Sequence, residues 1–156
     1  MEDSNKWEIG NLGEISVSYV YKDSIKDRPI ITCVYDVYQL AVRAMDQGSL
    51  GMQEQFLVIY LNRAQRVLGS KVHFIGGISS VTIDVKLILA TAVGIMASGI
   101  VICHNHPSGN LEPSEQDKRL TLRLKEALSL LEIELLDHMI INPEGEFLSF
   151  ADKGIL

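Results

Sequence analysis

Cysteine is scarce in this chain. Cys33 and Cys103 are the only two among 156 residues, and neither belongs to a Cys-x-x-Cys pair. Two separated thiols make no disulfide framework, so a reduced, cytoplasmic setting is expected. Basic charge is also in short supply, with 14 Lys and Arg against 20 Asp and Glu and a net charge of −6. Binding to nucleic acid is driven by neutralising phosphates and leaves a basic face. The one tight basic cluster, Lys118, Arg119, Arg123 and Lys125, reads instead as the solvated side of a helix. The first ten residues lack the basic-then-apolar order of a signal peptide. The longest apolar stretch, Leu87 to Cys103, is broken by Gly94, Ser98 and Gly99 and runs into histidines and Pro107. It reads as a buried helix followed by a buried strand, so no membrane span is expected. There is no internal repeat, low-complexity tract or domain linker.

Apolar residues make up 47% of the chain and charged residues 22%, the composition of an ordinary globular domain. A chain of this length buries a core without disulfide staples. Ile15, Val17 and Tyr19 alternate with polar residues and predict a first strand, followed by a turn-like stretch over 22–29. Residues 34–45 have helical spacing, with Gly48 as a stop. The continuous apolar run 56–61 predicts a central strand covered on both faces. A turn at Asn62-Arg63-Ala64 leads to a second strand over 66–74, paired antiparallel with it. Gly76-Gly77 ends that strand. Residues 84–97 predict a helix apolar nearly all round and therefore buried. Residues 100–103 predict a core strand, and 105–113 a loop rich in Pro, Gly and Asn. Residues 115–131 predict an amphipathic helix with Leu120, Leu124, Ala127, Leu128 and Leu131 on one stripe. Segments 135–142 and 146–150 predict a closing hairpin around Pro143-Glu144-Gly145. The alternation of strands and helices predicts an α/β (α+β) fold with a mixed sheet.

The informative segment is His104-Asn105-His106-Pro107-Ser108-Gly109, with Ser114 and Asp117 after it. Histidines at i and i+2 leaving a strand point to the same side and can reach one ion. A carboxylate from the next helix completes a three-ligand set and leaves one position open, the pattern of a catalytic zinc site. A plainer explanation stands beside it. Either histidine can be a hydrogen-bonded surface residue, and Ser114 with Asp117 three positions on is also a helix capping box. Cys103 alternates to the opposite face from His104 and reads as core packing, while His73 lies on a strand with no evident partner.

The spacing of His104, His106, Ser114 and Asp117 reproduces the signature H-x-H-x7-S-x2-D of the JAB/MPN (JAMM) metalloprotease superfamily. Gly76-Gly77-Ile78-Ser79, Ile102 through Asn110, Leu135-Leu136-Asp137-His138 and Ser149 through Gly154 resemble its bacterial RadC branch. The resemblance runs from about Val34 to the end. It divides the chain into an N-terminal strand and connecting segment, 1–33, and a RadC-like JAB/MPN catalytic domain, 34–156. No N-terminal helix-hairpin-helix region is expected in so short a chain. The resemblance implies a cytidine-deaminase-like mixed sheet flanked by helices. It also implies one Zn2+ per chain on His104, His106 and Asp117, and hydrolysis of a peptide or isopeptide bond in an unidentified protein substrate. It carries Glu54 over as the general base for the attacking water and Ser114 as the donor to the developing oxyanion. His138 follows Asp137 inside an apolar strand and reads as structural before it reads as a support for a ligand. Asn105 stands where the deubiquitinating relatives have Ser or Thr, and there is little room for insertions that grip ubiquitin, which leaves the substrate open. The RadC branch also carries a DNA-repair label and a link to mobile elements, which makes nucleic-acid processing the first rival function. A non-catalytic interaction module, as in relatives that have lost their ligands, is the second.

Overall fold

The structure, a computed structural model, describes residues 16–20, 22, 24–76 and 83–156. Among the described residues five strands form one sheet: β1 (Gln55–Leu61), β2 (Val67–Ile75), β3 (Gly99–Asn105), β4 (Glu134–Ile141) and β5 (Phe147–Ser149). Their order across the sheet is β2-β1-β3-β4-β5. All neighbours are antiparallel except β3 and β4, which are parallel. A parallel pair needs a crossover, and here it is a helix, α3 (Glu115–Ser129). The mixed α/β class expected from the sequence is the class observed.

β1 and β3 are buried along their whole length because helices cover both faces. Alternation sorts their side chains into two cores. Phe56, Val58, Tyr60, Ile100 and Ile102 face α3 and a second helix, α2 (Val85–Gly94), which supplies Val85, Ile88 and Ala92. Leu57, Ile59, Leu61, Val101 and Cys103 face Val37, Ala41 and Met45, from α1 (Val34–Ala44) and its C-cap. Cys103 is therefore core packing, as expected. Truncating one of the fully buried aliphatic side chains, such as Leu124 or Ile102, costs about 2–5 kcal/mol through lost burial and the cavity left behind.

Several sequence expectations need correction. Residues 16–20 form no strand, and Val17 is largely exposed; Ile15 lies outside the described residues, as do Gly77, Ile78 and Ser79. Tyr19 is held instead by its hydroxyl, which donates to the Leu68 carbonyl. α2 is not buried all round: Leu87 and Val93 are exposed, and only one stripe reaches the sheet. It ends at Gly94, short of Ala97, because Met96 adopts a left-handed backbone. α3 buries Thr121, Leu124 and Leu128, whereas Leu131 lies beyond its end and is exposed. His73 does have a partner, the Tyr60 hydroxyl at 2.5 Å, and burial with the nearby Lys71 charge pushes it down to about 4.

Candidate metal centre

The centre is built where β3 ends and α3 begins. β3 runs two residues further than predicted, so His104 and Asn105 are part of the strand and buried, with His106 just past it. β1 and β3 pair Phe56 with His104, which puts His104 on the α2/α3 side of the sheet. The chain returns through a loop to Ser114, which caps α3. Ser114 Oγ accepts from the Asp117 backbone N–H at 3.1 Å, and Asp117 Oδ2 accepts from the Ser114 N–H at 2.8 Å and its Oγ at 2.6 Å. This capping box turns the Asp117 carboxylate back toward the strand end. The plainer reading of Ser114 and Asp117 is therefore correct, and it also serves the site.

Three side chains converge. His104 Nε2 and His106 Nε2 lie 2.9 Å apart, and they stand 3.3 and 3.5 Å from the two Asp117 carboxylate oxygens. Among the described residues this His-His-Asp group has the arrangement that could hold a metal ion. The His106 ring is oriented by the Asn110 carbonyl, 2.6 Å from its Nδ1. A carbonyl only accepts, so Nδ1 carries a proton; when the ring is neutral, its Nε2 is then bare toward His104 and Asp117.

Electrostatics favour positive charge at this point. Burial works against the charged form of Asp117, but Ser114 and the His104 and His106 rings in their protonated form, through hydrogen bonds and the charge of His104, hold it well below the carboxylate range. Burial also pulls His106 down; its bonds to Asp117 and Asn110, with the charges of Asp117 and Glu54, outweigh that and leave it raised. A carboxylate that stays ionised beside two imidazole nitrogens is a donor set suited to a cation.

The three side chains sit at an open cleft of about 810 Å³, and Glu54 and Ser114 line the same cleft. Glu54 directly precedes β1. Its backbone carbonyl accepts from Gly76, and continuing the β1–β3 register places it across from His106. Asn105 fixes this segment from the other face of β3. Its Oδ1 accepts from the Gln55 N–H at 2.7 Å, and its Nδ2 donates to the carbonyls of Leu50 and Gln53 at 2.7 and 2.9 Å.

Sequence reasoning missed this use of Asn105, and it missed Thr121 entirely. It also favoured a purely structural His138, whereas His138 Nε2 lies 2.8 Å from His104 Nδ1. Thr121 had one signal available: four residues past Asp117 on a helix, it lies on the same face. Arg119 and Arg123, taken for a solvated face, also line the cleft.

Comparisons with known proteins agree with this architecture. The RadC-like JAB domain family matches residues 31–155. A UPF0758 protein of Porphyromonas gingivalis is 44% identical over 104 residues, which is 67% of this chain and 46% of that protein. The UPF0758 protein PSHAa2643 of Pseudoalteromonas translucida is 35% identical over 135 residues, 86% of this chain and 56% of the relative. UPF0758 protein Shew185_0376 of Shewanella baltica is 35% identical over 133 residues, 85% and 55%. The chain thus spans about half the length of the curated relatives it matches. With the family match over most of the chain and the His-His-Asp group in place, the chain belongs to the RadC-like JAB domain family.

Proposed function

We propose that this protein is a zinc-dependent hydrolase of the JAMM type, acting on a peptide or isopeptide bond. The observation that carries the reading is the convergence of His104, His106 and Asp117 at a cleft that Glu54 also lines. Ligands at about 2.0–2.1 Å in a tetrahedron stand about 3.3 Å from one another. The two histidine nitrogens are 2.9 Å apart, and each lies near one Asp117 oxygen, His104 at 3.3 Å from Oδ1 and His106 at 3.5 Å from Oδ2, so the three side chains are close enough to share one ion of this size. Two imidazoles and one carboxylate would hold the ion with three protein ligands, which is the ligand count of catalytic zinc.

When bound, zinc supplies Lewis-acid polarisation of a carbonyl oxygen and brings the acidity of water toward neutrality. The chain's own residues do the rest. Glu54 takes the proton from the attacking water and returns it to the leaving amine. Ser114 Oγ turns its proton from Asp117 toward the cleft and donates to the developing oxyanion. Asn105 keeps Glu54 in place by holding Gln55, Gln53 and Leu50. The test is metal analysis of protein purified without chelators, followed by assay of quenched-fluorescence peptide and isopeptide libraries with the wild type and Glu54→Gln. Cleavage that depends on both zinc and Glu54 is expected. Protein that neither carries zinc nor takes it up overturns the reading.

A further inference from the structure

His138 is fully buried in β4, yet it is not in the ligand group, and Thr121 is buried on α3 beneath Asp117. Together they continue a line of hydrogen bonds away from His104. His104 Nδ1 lies 2.8 Å from His138 Nε2, and His138 Nδ1 lies 2.6 Å from Thr121 Oγ1. Thr121 Oγ1 in turn lies 2.7 Å from the backbone carbonyl of Asp117.

The direction of this line follows from counting protons. The Asp117 carbonyl only accepts, so the single hydroxyl proton of Thr121 points to it. Thr121 Oγ1 is then the acceptor for His138, which must carry its proton on Nδ1. A neutral His138 therefore offers a bare Nε2, and His104 must donate to it from Nδ1. In the neutral His104 ring that leaves Nε2 bare, toward His106 and Asp117. Reversing the line would put a hydroxyl oxygen and a carbonyl oxygen 2.7 Å apart with no proton between them.

Packing keeps the His138 ring from turning over and breaking the sequence. It stacks on Phe150 at 4.4 Å between ring centres and meets the edge of Phe56 at 6.3 Å. A bulge in β4 aims it. Ile100 pairs with Leu135 but Val101 pairs with Asp137, so Leu136 is the extra residue. The extra residue shifts the alternation, and both Leu135 and His138 face α3.

We propose that Thr121 and His138 form a one-way proton-ordering relay that locks His104 as its Nδ1–H tautomer and presents a bare Nε2 to the metal. Both are positioning residues: neither touches the ion, and the relay's far end is the backbone of Asp117, so one line ties two of the three ligands together. Partners of this kind set ligand orientation and basicity, and their loss costs about 10–100-fold in metal affinity.

The inference rests on the metal-centre reading, and two measurements keep their failures apart. The first needs no metal. Long-range nitrogen–proton NMR on the zinc-free wild type, followed across pH, reads each ring's tautomer in its neutral form. Nδ1–H on both His104 and His138 is expected; Nε2–H on either overturns the relay. The second compares zinc affinity by competition with a chromophoric chelator. Thr121→Val, nearly the same shape without the hydroxyl, should bind about 10–100-fold more weakly while keeping a native-like amide spectrum. Thr121→Ser should restore wild-type affinity. If Thr121→Val is folded and binds as tightly as wild type, the relay is overturned and the centre stands. If the wild type binds no zinc, the metal reading fails and the tautomers alone decide the relay.

Discussion

Two aspartates, one at the start of α3 and one in β4, behave in opposite ways. Asp117, at the start of α3, is held well below the carboxylate range despite burial, because His104, His106 and Ser114 bond to it. Asp137, in β4, is raised. Burial dominates there, although Ser149 Oγ at 2.6 Å, the Ala151 N–H at 2.9 Å and the His138 N–H at 2.8 Å all donate to it. Neutral donors only partly replace water around a carboxylate, whereas cationic imidazole adds a Coulomb term. One region is therefore suited to hold an ion, and the other ties the β4–β5 hairpin to the turn after it.

The sharpest way to break the comparison is to neutralise each aspartate in turn. Asp117→Asn and His104→Ala should each abolish zinc binding, measured by elemental analysis and chelator competition. Asp137→Asn should leave it intact, since Asn can accept from the two N–H groups and donate to Ser149. Equal zinc loss in both aspartate variants would erase the distinction. Glu54 is the third carboxylate, and it separates holding the ion from using it. Glu54→Gln should keep zinc and fold while losing about 10²–10⁴-fold in hydrolytic rate on a validated substrate. A variant that cleaves at the wild-type rate would remove Glu54 from the chemistry, and one that also loses zinc would make it a ligand or a support.

Smaller effects test the supports. Asn105→Ala leaves the Gln55 N–H and two carbonyls without partners beneath the cleft. A stability loss of about 1–3 kcal/mol is expected, read as a lower Tm with zinc retained. The smallest effect is in pH dependence. Asp137 has a raised pKa in the folded chain, so between its unfolded value of about 3.9 and its folded value the native state binds more protons than the unfolded one. Its contribution is present at low pH and is lost as pH rises through the folded pKa. Asp137→Asn should remove that decline, so wild type and variant should converge at acid pH and the variant should hold its stability better toward neutrality. Denaturant midpoints that run parallel across this range would show that Asp137 does not titrate as its surroundings dictate.

Much of the molecule was readable along the chain because it depends on neighbours in sequence. The apolar runs of β1 and β3, the amphipathic stripe through Leu124 and Leu128, and the His104, His106, Ser114, Asp117 spacing are all local patterns. A strand end and a helix cap are enough to bring that group together. The resemblance that placed Glu54 also works through position beside a strand. Local patterns failed where exposure depends on what else packs nearby. Nothing in 84–97 reveals that Leu87 and Val93 face outward, and alternation near Val17 and Tyr19 produced no strand without a partner edge.

The sequence by itself determined the class of fold and the spacing that brings His104, His106 and Asp117 together. The tertiary structure alone decided what surrounds them. His138 reaches His104 because β3 and β4 lie side by side and a bulge at Leu136 reverses the alternation that Leu135 begins. Alternation read along 135–142 would send His138 to the opposite face. Pairing partners, register and bulges are set by the packing of whole elements, over separations in sequence that no local period encodes.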